Sequence, residues 1–147
     1  MNRANTEKTI RVMNAVAAGQ TAQTSSAIDT KGYDGVKIYS AFGAITSGAV
    51  TSVKVQQSSD DASADAYADL LGTSVTVADD DDNQVVVHDI YRPRERYLKV
   101  VISRATQNAV IDGIIAVLYG AAKAPTTDDT TTVVARETHV SPAEGTA

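Results

Sequence analysis

The stretch "RYLKVVISRATQNAVIDGIIAVLYG", Arg96–Gly120, decides the fold. Its first half alternates: Leu98, Val100 and Ile102 share one face, and Lys99, Val101 and Ser103 share the other. A period of two is the signature of a half-buried strand. "RATQN" then supplies turn residues, and "AVIDGIIAVLYG" follows as a long, nearly all-apolar strand, expected to be covered on both faces. The same patterns recur upstream. In "GVKIYSAF", Val36, Ile38, Ser40 and Phe42 oppose Lys37, Tyr39 and Ala41. "VTSVKVQQ" sets Val53 and Val55 against Lys54 and Gln56, "TSVTVAD" offers Val75 and Val77, and "QVVVHDI" is a β-branched run. With "TAQTSSAID" near the start, seven strands are predicted.

Polar turns punctuate these strands: "KGYDG", "ITSG", "SSDDASAD" and "ADDDDN". Short strands at this spacing predict an all-β protein, a β-sandwich or jelly-roll-like domain. The domain is expected over residues 20–123. "SADAYADLL" has room for one helical turn. Residues 1–19 read as an N-terminal arm or a first strand. Residues 124–147 hold seven Thr, two Pro and almost no large apolar side chain, so they predict an extended C-terminal arm that packs on another chain.

Bulk properties narrow the function. The 147 residues suit one domain, and 43% hydrophobic content suits a globular core. Aromatics are 5% with no Trp, so Val, Ile, Leu and Ala must fill that core. Cysteine is absent, which excludes disulfides and thiolate metal sites. A net charge of -5 argues against nucleic acid as partner. No stretch approaches the roughly 18 apolar residues of a membrane-spanning helix. "MNRANTEKTIRVMNAV" has polar residues where a signal peptide needs its apolar run, so synthesis and residence in the cytoplasm of the producing cell are expected.

Candidate sites are few. "YRPRERYLKV" packs Arg92, Arg94, Arg96 and Lys99 into ten residues. Pro93 breaks sheet pairing, so the segment is a connection at one end of the sandwich. Its arginines are expected to meet carboxylates of this chain or of a partner, because a guanidinium fork matches a carboxylate. Asp60, Asp61, Asp65, Asp69 and Asp79–Asp82 are the plentiful local acids. "ADDDDN" lacks the central Gly and closing Glu of an EF-hand loop and reads as a solvated turn, with no metal expected. His88 and His139 lack the further ligands of a zinc site, and no G-x-S-x-G elbow accompanies them, so neither catalysis nor a cofactor is expected. Asp112 inside an apolar strand calls for a buried pair with Arg92, Arg94 or Arg96.

Two stretches carry a resemblance: "SSAIDTKGYDGVKIYSAFGAI" (Ser25–Ile45) and "YRPRERYLKVVISRATQNAVIDGIIAVLYG" (Tyr91–Gly120). Their "I-D-t-x-G-Y-D-g-v" opening, "P-x-x-R-Y-l" turn and "G-I-I-A" strand resemble a group of small bacteriophage structural proteins. Some of these are head decoration, or cement, proteins of tailed phages. The resemblance covers roughly Gln20–Gly120 and rests on strand-and-turn patterns. It implies a jelly-roll-like fold and a place in the virion, on the outer surface of the capsid. It also implies the major capsid protein and copies of itself, as homodimer or homotrimer, for partners. Arg92, Arg94 and Arg96, with Thr130, Val133, Val134 and Arg136 of the tail, are the candidate partner contacts. The alternative is a virion glycan-binding module that uses Tyr33, Tyr39, Tyr67, Tyr91, Tyr97 and Tyr119.

Overall fold

The computed structural model describes residues 6–146. These residues form an all-β protein of two antiparallel sheets. The strands are β1 (Lys8–Met13), β2 (Val16–Gly19), β3 (Gln23–Thr24), β4 (Ile28–Asp29), β5 (Gly35–Ile45) and β6 (Val50–Ser58). They continue with β7 (Ala68–Asp69), β8 (Val75–Val77), β9 (Val85–Tyr91), β10 (Tyr97–Ala105) and β11 (Ala109–Tyr119). A front sheet runs β1-β11-β5-β9, with β2 also on β11. A back sheet runs β3-β10-β6-β7, with β4 also on β10 and β8 also on β6. No described helix is long and apolar enough to cross a membrane.

One cluster fills the space between the sheets. Val36, Ile38 and Phe42 of β5 and Ile111, Ile114 and Leu118 of β11 meet Val53 and Val55 of β6 and Leu98, Val100 and Ile102 of β10. These are the inward residues that the alternation in β5, β6 and β10 predicts. Each such side chain contributes roughly 1.5–3 kcal/mol on burial, which is how a chain without Trp acquires a core. "RATQN" and "YRPRER" both carry the chain from one sheet to the other, so neither closes a hairpin within a sheet.

Four expectations are corrected. The strand predicted over "TAQTSSAID" is broken into β3 and β4, because Ser25 lies between them. Its hydroxyl accepts the Val100 amide at 2.9 Å while its own amide bonds the Val100 carbonyl. Of residues 1–19, read as an arm or a first strand, the described part forms two strands, β1 and β2, and β7 was not anticipated, since short or weakly alternating segments give little periodic signal. "SADAYADLL" forms no helical turn. The Asp60 carboxylate accepts amides of Ser63, Ala64 and Asp65, and the buried Ser58 hydroxyl accepts that of Ala62, so side chains dictate a loop instead.

The fourth concerns β11. Asp112 is exposed and makes no ion pair with Arg92, Arg94 or Arg96. Its register against β5 shifts between Ile111 and Gly113, a β-bulge at which Gly113 takes φ +134°. The bulge changes the phase of the strand. Ala109 and Ile111 point inward before it, and Ile114, Ala116 and Leu118 after it. Apolar residues of both parities are therefore core residues, which is why the segment looked covered on both faces. Its outward Ile115 is 45% exposed.

Candidate functional site

The arginine connection sits at one end of the sandwich. Arg96 pairs bidentately with Asp29, Nε to Oδ1 at 2.8 Å and Nη2 to Oδ2 at 2.6 Å, and lies over the Tyr97 ring. That hydrogen bond holds the Asp29 carboxyl below its ordinary range. Arg92 has φ +50°, donates its amide to Asp34 O and lies 5.2 Å over the Tyr91 ring. Arg94 is exposed and makes no ion pair among the described residues. The expected internal carboxylate is thus present for Arg96, but it is Asp29 and not one of the acidic runs. Because the folded-state pKa of Asp29 is lowered, its stabilisation is present at neutral pH and is lost as pH falls through the carboxylate range. Both partners are half exposed, so Arg96→Ala should change the melting temperature little at pH 7 and flatten the acid limb of the stability curve. A large loss at pH 7 would contradict this reading.

The acids hold loops. Asp79 Oδ2 accepts the Gly48 amide and Asp82 Oδ1 the Ile45 amide, so "ADDDDN" clasps the connection from β5 to β6. Asp65 accepts the Ser59 amide. Asp69 pairs with Lys54 at 2.7 Å, and Asp61 takes Lys99 at 3.3 Å and the Tyr67 hydroxyl at 2.6 Å. Among the described residues no three His, Asp or Glu converge as metal ligands. His88 is buried in the sandwich with Nε2 2.7 Å from Thr73 O, and its Nδ1 has no hydrogen-bond partner. His139 is exposed beside Glu137.

The tail follows the outer edge of β1. Thr9 N donates to Asp128 Oδ1 at 2.6 Å, Asp129 N donates to Thr9 O, Arg11 N donates to Thr132 Oγ1, and Thr126 Oγ1 donates to Glu7 O. Arg136 bonds Glu7 O and Thr9 Oγ1 and pairs with Asp128 at 2.6 Å. Of the tail residues expected to contact a partner, Arg136 is thus engaged within its own chain. Thr130 and Val134 are exposed, and Val133 is half-buried.

The surface that sequence reading missed is the outer face of the front sheet. The registers align Val87, Tyr39, Ile115 and Arg11 in one row across β9, β5, β11 and β1. The next row is Asp89, Lys37, Val117 and Thr9. Val85 and Val87 are each 52% exposed, and Tyr39 and Ile115 are also exposed. Tyr39, Ile115, Val85 and Val134 line a depression of about 630 Å³. Beside it Tyr119 donates to Asp89 at 2.6 Å, and burial together with that bond pushes its phenol up to about 12. The back sheet presents mainly Ser52, Lys54, Gln56, Lys99 and Ser103, with Val101 half-buried among them and Val50 exposed at one end. The available signal was the outward parity of "VVV" in β9, read only as strand propensity.

No protein-family model matches the chain, and no curated protein matches it. Among solved structures it is similar to dimeric latent PorU from Porphyromonas gingivalis, at 7% identity and a TM-score of 0.45. That likeness covers 78% of this chain and 13% of the PorU chain, and it bears on neither fold nor function.

Proposed function

We propose that this chain is a capsid decoration, or cement, protein of a tailed bacteriophage that sits on the outside of the head and bridges neighbouring copies of the major capsid protein. The observation that carries the reading is the asymmetry of the sandwich. One outer face is mostly polar, with Val50 exposed only at its end, and the other exposes Val85, Val87, Tyr39 and Ile115 together. A contiguous apolar face on a soluble β-domain marks a protein contact surface. A subunit bound across capsid edges adds its binding energy only to the closed shell, so it stabilises that state by mass action, and a lattice multiplies each weak contact. No catalytic step is needed for this role.

A second reading, a glycan-binding module on the virion, draws on one observation: Tyr39 and Tyr119 flank Lys37 and Asp89 around a depression of about 650 Å³ on the same face. Heat separates the two. Heads lacking this protein should release DNA at a lower temperature than decorated heads. Adding back the natural chain should restore resistance, and adding back Ile115→Lys or Tyr39→Asp should not. Equal heat resistance with and without the protein would overturn the cement reading and put the glycan reading in its place.

A further inference from the structure

The edges of the two sheets are guarded unequally. An open strand edge is a template for another strand, and proteins blunt it with short strands, charges or covering segments. The back sheet ends in strands of two or three residues: β3, β4, β7 and β8. The β1 edge of the front sheet is covered by Thr126, Asp128, Asp129 and Thr132, as described above. The β2 carbonyl of Ala17 is taken by Arg104.

The β9 edge has no such cover. Two bonds fix its phase: Phe42 N to Gln84 O and Arg92 N to Asp34 O. In an antiparallel ladder, residues alternate between bonding the neighbour and facing away from it. Even-numbered residues of β9 therefore bond β5, and the N–H and C=O of Val85, Val87, Asp89 and Tyr91 face away. Among the described residues none of these groups has a partner. The strand carries no Pro or Lys, and three valines in succession. Asn83 at φ +59° and Arg92 at φ +50° turn the chain away at either end, which limits the open edge to Val85–Tyr91.

We infer that β9 is a dimerisation edge: two copies of this chain pair antiparallel along Val85–Tyr91 about a two-fold axis at His88, joining their front sheets into one. The occupant is a second copy because the edge is self-complementary. Pairing about His88 sets Val85 opposite Tyr91 and Val87 opposite Asp89, and uses all four outward-facing residues. Pairing about residue 89 would set Asp89 against Asp89, which like-charge repulsion opposes. Pairing about residue 87 leaves Tyr91 unused. In the chosen register the two apolar outer faces lie on the same side and become continuous. The inference concerns the protein in solution and does not depend on the capsid reading.

Sedimentation equilibrium of the full chain across a wide concentration range tests it. The expected mass is twice the 15.4 kDa of the chain. Val87→Asp sets a carboxylate directly opposite Asp89 in the paired copy, where like charges repel, and Val87→Pro removes an outward N–H without removing a bond to β5. Each should return the mass to 15.4 kDa, while Ser103→Lys on the back sheet should not. Circular dichroism confirms that the variants keep the native strand spectrum. The chain has no cysteine, so introduced thiols are unique. Oxidising a mixture of Val87→Cys and Asp89→Cys chains should give a disulfide-linked pair that neither variant gives alone. A mass of 15.4 kDa at every concentration, or a dimer that survives both Val87 substitutions, overturns the inference. So does a cross-link formed by Val87→Cys alone, which would place residue 87 opposite itself.

Discussion

Arg104→Met should lower the unfolding free energy by about 3–5 kcal/mol, seen as a large drop in the denaturant midpoint at unchanged slope. Arg104 is 4% exposed. Its guanidinium donates to three backbone carbonyls: Nε to Thr21 O at 2.9 Å, and Nη1 to Ala17 O at 2.9 Å and to Ala109 O at 2.7 Å. These acceptors lie on β2, between β2 and β3, and at the start of β11. One side chain therefore ties the place where the chain leaves the front sheet to the place where it returns. Methionine fills similar volume but leaves those carbonyls without donors, each at a cost of roughly 1–3 kcal/mol. Arg104→Lys should recover only part of the loss, because a point charge cannot replace a planar fork aimed at separated acceptors. Gly19 bears on the same site, since a Cβ there would come within 3.2 Å of Nη2. A midpoint for Arg104→Met within error of the natural protein would show that water or backbone rearrangement supplies the missing donors.

Arg104 also shows where sequence reading stopped. Leu98, Val100, Ile102, Val36, Ile38 and Phe42 were legible as core because a period of two is written directly into residue order. Arg104 was assigned to the turn "RATQN", and nothing nearby suggested otherwise. Its partners are carbonyls, which every residue has, so no residue type announces them. Arg96 was legible as one half of an ion pair, but Asp29 is 67 residues away and its choice over Asp60 or Asp79 is a property of the register of β4 on β10. The acidic runs were legible as turns, whereas their use as amide acceptors follows from loop geometry. The apolar outer face required knowing that Val87, Tyr39 and Ile115 share a row, which only strand order supplies.

Gly113→Val should cost roughly 2–4 kcal/mol, combining a strained backbone conformation with a forced close contact. Gly113 has φ +134°, a conformation that side chains with a Cβ rarely adopt. A Cβ there would lie 3.0 Å from the Met13 carbonyl and 3.3 Å from the Arg11 guanidinium, so β1 would have to move. The position matters beyond its own strain because the bulge sets the phase of β11. A one-residue slip exchanges the two faces of a strand. If relief of strain straightened the bulge, either Ala109 and Ile111 or Ile114, Ala116 and Leu118 would leave the core. The first consequence to measure is the melting temperature, which should fall by several degrees, since a loss of this size in a domain of this length shifts it by roughly 2–4 °C per kcal/mol. The second, on the proposed cement role, is attachment to phage heads at a temperature where the variant stays folded. The bulge places Ile115 outward beside Tyr39, so disturbing it should weaken attachment even when folding is retained. A variant that melts with the natural protein would mean that Gly113 is not required for the bulge, and the phase of β11 would then have to be set by Asp112 or by the pairing of Met13.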